Sequence, residues 1–71
     1  MAKENTLGLP RLPPCKLIGE DGNVFAIIGR VRSALRKDGQ ADRMDEFTRR
    51  ATAATSYDGV LVLLHEYVKV K

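Results

Sequence analysis

Seventy-one residues, 44% hydrophobic and 30% charged, with a formal net charge of +3, describe one small globular domain and leave no room for a second. A single cysteine excludes an intrachain disulfide, and a single histidine beside it cannot complete a closed zinc site, which takes about four ligands. The longest apolar runs, such as Val60 to Leu64, fall far short of the ~20 residues that span a bilayer.

A lone thiol suits a reducing compartment. Met1-Ala2-Lys3-Glu4-Asn5 has no apolar run behind its lysine, so no secretory signal is expected. The sequence therefore predicts a soluble, cytoplasmic protein that makes no use of a membrane. A chain this short buries only about 60% of its unfolded surface, so its stability is expected to be modest.

Residues 1–14 read as a flexible leader. Leu7-Gly8-Leu9-Pro10-Arg11-Leu12-Pro13-Pro14 mixes proline and leucine with no helical or strand period, and proline fixes φ and removes a donor. Pro10 and Pro13 make a P-x-x-P spacing that an SH3-type groove could take. The plainer reading is a leader with a few leucines.

The domain is placed at 15–71. Cys15-Lys16-Leu17-Ile18 reads as a short strand, ended by Gly19 and the polar turn Glu20-Asp21-Gly22-Asn23. Asp21 or Asn23 is positioned to cap a following helix. The turn is too poor in glycine, and too acidic, for a phosphate loop.

Residues 24–37 carry the strongest helical pattern. Val24, Ile27, Ile28, Val31, Ala34 and Leu35 share one face. The opposite face holds Ala26, Gly29 and Ser33, flanked by Arg30, Arg32, Arg36 and Lys37, and Gly39 marks the stop. A second helix is expected over 41–54, with Met44, Phe47, Thr48, Ala51 and Ala54 facing inward. Its acids come early and its arginines late, which suits the helix dipole.

Ser56-Tyr57-Asp58 restarts the chain, with Asp58 as the expected cap. Residues 59–66 fit a helix through Val60, Leu61, Leu64 and Tyr67. Val60-Leu61-Val62 alone favours a strand, and a strand over 60–70 is the alternative. The preferred reading is a helix to Glu66, then a strand Tyr67-Val68-Lys69-Val70 that pairs with 15–18. The fold class is α+β: three short helices packed on a two-stranded sheet formed by the N- and C-terminal segments.

Little in this chain points to catalysis, and no catalytic, cofactor or metal residue is assigned. Cys15 and His65 are the one nucleophile–base pair available, and no oxyanion signal accompanies them. Asp42, Asp45 and Glu46 share a helix side, but acids gather in a first helical turn for electrostatic reasons alone. A helix-turn-helix reading would put those same acids against DNA, where phosphates reject them. The remaining surface of interest is the face of Ala26, Gly29, Ser33, Arg30, Arg32, Arg36 and Lys37. Its small residues suit close packing by a protein partner or a second copy. Its cations offer nucleic-acid binding as the alternative.

The segment Lys16-Leu17-Ile18-Gly19-Glu20-Asp21-Gly22-Asn23, with Val24-Phe25-Ala26-Ile27-Ile28-Gly29-Arg30-Val31 and Ala34-Leu35-Arg36, resembles a family of short uncharacterised bacterial and phage-borne proteins. The resemblance runs through the 42–54 helix and Ser56-Tyr57-Asp58, covering roughly residues 15–70. It implies a helix over 59–66 and carries across no activity, cofactor or functional residue. The functional expectation is a non-enzymatic protein-interaction module.

Overall fold

The structure, a computed structural model, describes residues 12–71. The order is β1 (Pro14–Cys15), α1 (Val24–Lys37), α2 (Ala41–Ala53), α3 (Tyr57–Leu64) and β2 (Lys69–Val70). It is an α+β fold with three helices between two short strands. The strands pair in parallel, Pro14 opposite Lys69 and Cys15 opposite Val70. A parallel pair needs a long crossover, and here all three helices supply it.

The α1 boundaries coincide with the expected 24–37. Asn23 caps the helix by accepting from the Phe25 N–H at 2.8 Å, and Asp21 braces the cap by accepting from the Asn23 N–H at 2.9 Å. At the far end Gln40 N–H reaches the Leu35 carbonyl at 2.8 Å, and Gly39 N–H reaches Arg36 at 3.0 Å. That paired closure requires a left-handed residue after the cap, and Gly39 supplies it with φ +75°.

Three expectations are corrected. The first strand is not 15–18 but Pro14–Cys15, so it begins inside the segment assigned to the leader. Leu17 and Ile18 leave the ladder and donate both of their N–H groups to the Lys71 carbonyl, each at 2.9 Å. The last strand is Lys69–Val70, not 67–70, because α3 ends at Leu64 and a turn follows in which Tyr67 and Val68 both donate to the Leu64 carbonyl. The cap of α3 is Ser56, not Asp58: its hydroxyl accepts from the Gly59 N–H at 3.0 Å. Ser56 is extended, as a cap must be, whereas Asp58 already lies inside the first turn.

The alternative strand over 60–70 does not form. Val60, Leu63 and Leu64 are buried at helical spacing, so a helix seats all three where alternation would expose some. The P-x-x-P motif lies partly outside the described residues, since Pro10 precedes them, and so does the leader over residues 1–11.

The core is contiguous. Ile27, Val31 and Leu35 of α1 meet Phe47 and Ala51 of α2, Leu63 and Leu64 of α3, and Cys15, Tyr67 and Val68 from the two ends of the domain. Each large side chain buried here contributes about 1.5–3 kcal/mol of transfer free energy. Tyr67 is 1% exposed, and its ring lies edge-on to Phe47 with centroids 5.4 Å apart.

Candidate functional site

α1 is amphipathic, so its buried stripe fixes which side chains point outward. The structure divides the seven face residues expected from the sequence. Ala26, Gly29, Arg30, Ser33 and Lys37 border a shallow groove of about 510 Å³ between α1 and β1, with Cys15 and Lys16 on the far wall. Arg32 and Arg36 stand exposed beyond it, on the side away from β1.

The groove's charge is partly compensated. The Arg30 Nη2 donates to Glu20 Oε1 at 2.8 Å, and Lys16 Nζ lies 3.7 Å from the other Glu20 oxygen. Arg32, Arg36 and Lys37 make no ion pair among the described residues. The expected cationic face is therefore two surfaces: a groove balanced by Glu20, and a strip of free arginines.

A second surface escapes the sequence reading. Phe25 is 80% exposed, in the first turn of α1. Beside it an apolar depression of about 360 Å³ is lined by Val24, Ile28, Ala51, Ala54, Tyr57 and Val60 among others. Tyr57 is 45% exposed and donates its hydroxyl proton to the Gly22 carbonyl at 2.9 Å, which ties the start of α3 to the turn before α1. On its other side a smaller apolar hollow of about 230 Å³ includes Leu17, Ile18 and Leu61. Ile18 is 71% exposed. Large side chains left in water, clustered around two apolar hollows, mark a contact surface more often than scattered exposed leucines do.

The signal for Phe25 was available. At 100° per residue, positions 25, 29, 32 and 36 fall in one narrow strip, outside the stripe that begins at Val24. All four residues are exposed. A Cβ built at Gly29 meets nothing within 4 Å, so the fold of one chain does not need glycine there. Glycine inside a helix costs about 1 kcal/mol relative to alanine.

The candidate chemistry is not assembled. Cys15 is buried on the β1 side, and burial raises its pKa, with Arg30 opposing the rise. His65 is exposed at the end of α3, and no hydrogen bond joins it to Cys15 among the described residues. Glu46 accepts the Tyr67 hydroxyl at 2.7 Å, which gives it a structural role. Among the described residues no group of three or more His, Cys, Asp or Glu is placed to hold a metal ion, and no helix is long and apolar enough to cross a membrane.

Compared with protein-family models, with curated proteins and with solved structures, the chain finds no match.

Proposed function

We propose that the chain is a non-enzymatic protein-interaction module whose contact surface is the outer side of α1 together with the start of α3. The observation that carries this reading is the exposure of Phe25, at 80%, against the apolar depression beside Tyr57. An apolar ring of that size held in water favours association once a partner covers it. A cytoplasmic setting fits the single thiol, Cys15, which has no second cysteine to pair with. The resemblance of residues 15–70 to short bacterial and phage-borne proteins supports the same setting.

A photoreactive benzoyl-phenylalanine placed at Phe25 tests this reading in the native host. The expected result is a discrete covalent protein adduct, absent when the probe replaces the exposed Arg49 on α2. Equal labelling from both positions, or none from either, would overturn it.

Nucleic-acid binding is the second reading, favoured by the unpaired Arg32 and Arg36 beside an exposed aromatic ring. Glu20 and Asp21 at the head of the same helix weigh against it, because phosphates are repelled there. Salt-sensitive retention on DNA or RNA, lost in the double variant Arg32→Glu with Arg36→Glu, would favour it over protein contact.

A further inference from the structure

We propose that the groove between α1 and β1 takes an extended, acidic segment of a partner protein, which adds to the free edge of β1 as a third strand. This surface is separate from Phe25 and its depression, with which the groove shares no residue.

The free edge follows from the strand pairing. Pro13 and Cys15 turn their carbonyls toward β2, where they accept from the Lys69 and Lys71 N–H groups at 2.9 Å, and the Leu17 N–H returns to the Lys71 carbonyl. Main-chain groups alternate in direction along a strand, so those of Pro14 and Lys16 point away from β2. That side offers the Pro14 carbonyl and both the N–H and the carbonyl of Lys16. None of the three makes a backbone hydrogen bond among the described residues. An extended chain laid there accepts from Lys16 and donates to both carbonyls, which is how a strand adds to an open sheet edge.

The groove has room for that chain. Ala26, Gly29 and Ser33 follow one another at three- and four-residue steps along its α1 wall, so small side chains face the space beside β1. A Cβ at Gly29 would meet nothing within 4 Å. From Ala26 to Lys37 the wall runs about 16 Å at 1.5 Å per residue, the length of about five extended residues.

Charge selects the occupant. Lys16, Arg30 and Lys37 line the groove, and no acid does. Glu20, outside that lining, holds Arg30 at 2.8 Å and Lys16 at 3.7 Å, so one carboxylate is divided between two cations. Lys37 makes no ion pair among the described residues. Lys69, opposite Pro14 in the sheet, is exposed and adds another cation. Carboxylates on an incoming strand are attracted here and compete with Glu20. Proline and lysine on an edge ordinarily deter pairing. Pro14 has no N–H to give, and a second copy would bring its own Lys16 against this one. An acidic strand reverses the second effect and needs only the carbonyl of Pro14.

The test is an amide-resolved NMR titration of the isotope-labelled full chain with a short capped peptide alternating glutamate and threonine. The expected result is shifts at Lys16, Gly29, Arg30 and Ser33, with hydrogen exchange at the Lys16 amide slowed on saturation. Glu20→Gln frees Arg30 and Lys16 and is expected to tighten binding about threefold or more, while Lys37→Glu is expected to weaken it by a similar factor. Gly29→Leu fills space that the single chain leaves open, so it is expected to keep its helical content and lose the peptide. The same peptide N-methylated at alternate residues keeps its charge, loses half its donors and is expected to bind several-fold more weakly.

Shifts confined to the Phe25 and Tyr57 side, or no shifts, overturn the proposal. So does equal binding of the N-methylated peptide, which would make the contact one of charge without strand pairing. A short oligodeoxythymidine that fills the groove as tightly as the peptide overturns it in favour of nucleic acid. Shifts at the same amides on raising the protein concentration alone overturn it in favour of a second copy.

Discussion

The Tyr67 hydroxyl donates to Glu46 Oε1 across 2.7 Å, joining the turn before β2 to the middle of α2. The Tyr67 hydroxyl oxygen in turn accepts from Arg50 Nη1 at 3.0 Å, and the Arg43 guanidinium lies over the ring, 4.4 Å from its centroid. Arg43 also donates to the Glu66 carbonyl at 2.7 Å, and Arg50 bridges to the Glu66 carboxylate at 3.0 Å. The last residues are thus fastened to α2 on both sides of one buried ring, and β2 is delivered to β1. Tyr67→Phe keeps the ring and removes the hydroxyl. Because Glu46 and Arg50 are exposed enough to find water, the loss is expected to be about 0.5–1.5 kcal/mol by urea unfolding. Tyr67→Ala, which also removes the contact with Phe47, is expected to cost several times more. Equal costs would show that the ring contributes little.

The same burial gives a signed pH dependence. Tyr67 has its pKa raised above 10.0, first by burial and then by the hydrogen bond to Glu46, with Arg50 opposing. The folded state therefore holds the phenol proton more tightly than the unfolded chain does. Stability from this group is fully present below the unfolded value near 10 and is lost as pH rises through the higher folded value. In a Tyr57→Phe background only Tyr67 reports at 295 nm. Its phenolate is expected to appear above the pH at which free tyrosine ionises, together with loss of helical signal. Ionisation at the free value with the fold intact would contradict this.

The cap of α3 offers a sharper comparison. Ser56 accepts from the Gly59 N–H at 3.0 Å, while Asp58 makes no side-chain hydrogen bond to that helix among the described residues. Ser56→Ala is expected to lower stability by about 0.5–2 kcal/mol. Asp58→Ala removes only a favourable charge near the helix head and is expected to cost about 0.3–1 kcal/mol. Chemical denaturation of the two variants decides between them, and a larger loss at Asp58 would restore it as the cap.

How much of this was legible in the sequence depends on whether the signal was local. α1 was readable to its ends because Asn23, the stripe from Ile27 to Leu35, and Gly39 all act within the helix. That the two ends of the domain pair in a two-stranded sheet was readable too, but the strand bounds were not, because each strand has only two residues, set by a register between Cys15 and Val70 that no local pattern encodes. Ser56 lost to Asp58 as the expected cap because both are good caps. The choice was made by backbone geometry, extended at Ser56 and helical one residue later. Phe25 went unread for a different reason. Attention to the stripe led by Val24 leaves an adjacent aromatic without a role, although its strip with Gly29, Arg32 and Arg36 was computable. The cationic face was seen as one surface because Glu20, ten positions before Arg30, neutralises part of it only once the chain has folded back.

Cys15 should behave as a core residue. It is 5% exposed, and burial raises its pKa above 9.0 while Arg30 pulls the other way. The thiolate is the reacting species, so a buried thiol with a raised pKa reacts slowly. Alkylation at pH 8 is expected to proceed many-fold more slowly in the native chain than in urea, at a rate that follows unfolding. Native labelling as fast as in urea would mean that β1 opens freely.

Gly29 and Gly39 provide the last comparison, because one substitution should act in opposite directions. Gly39 holds φ +75°, a region an L side chain enters only at a cost of roughly 1–2 kcal/mol. Its N–H closes α1 onto the Arg36 carbonyl at 3.0 Å, so relaxing that angle would also open the helix end. Gly39→Ala is therefore expected to destabilise the chain. Gly29 sits in the middle of the same helix with no positive φ and with open space where a Cβ would be. Gly29→Ala narrows the unfolded ensemble and meets no clash, so it is expected to stabilise the monomer by about 0.5–1 kcal/mol. In a domain of this size that corresponds to a rise in Tm of several degrees. A gain at position 29 and a loss at position 39 would show that the stop needs its glycine for shape, while the outer face of α1 carries one that the monomer does not need. A loss at both would mean that Gly29 already serves the single chain, and would remove the reason to look for what packs against it.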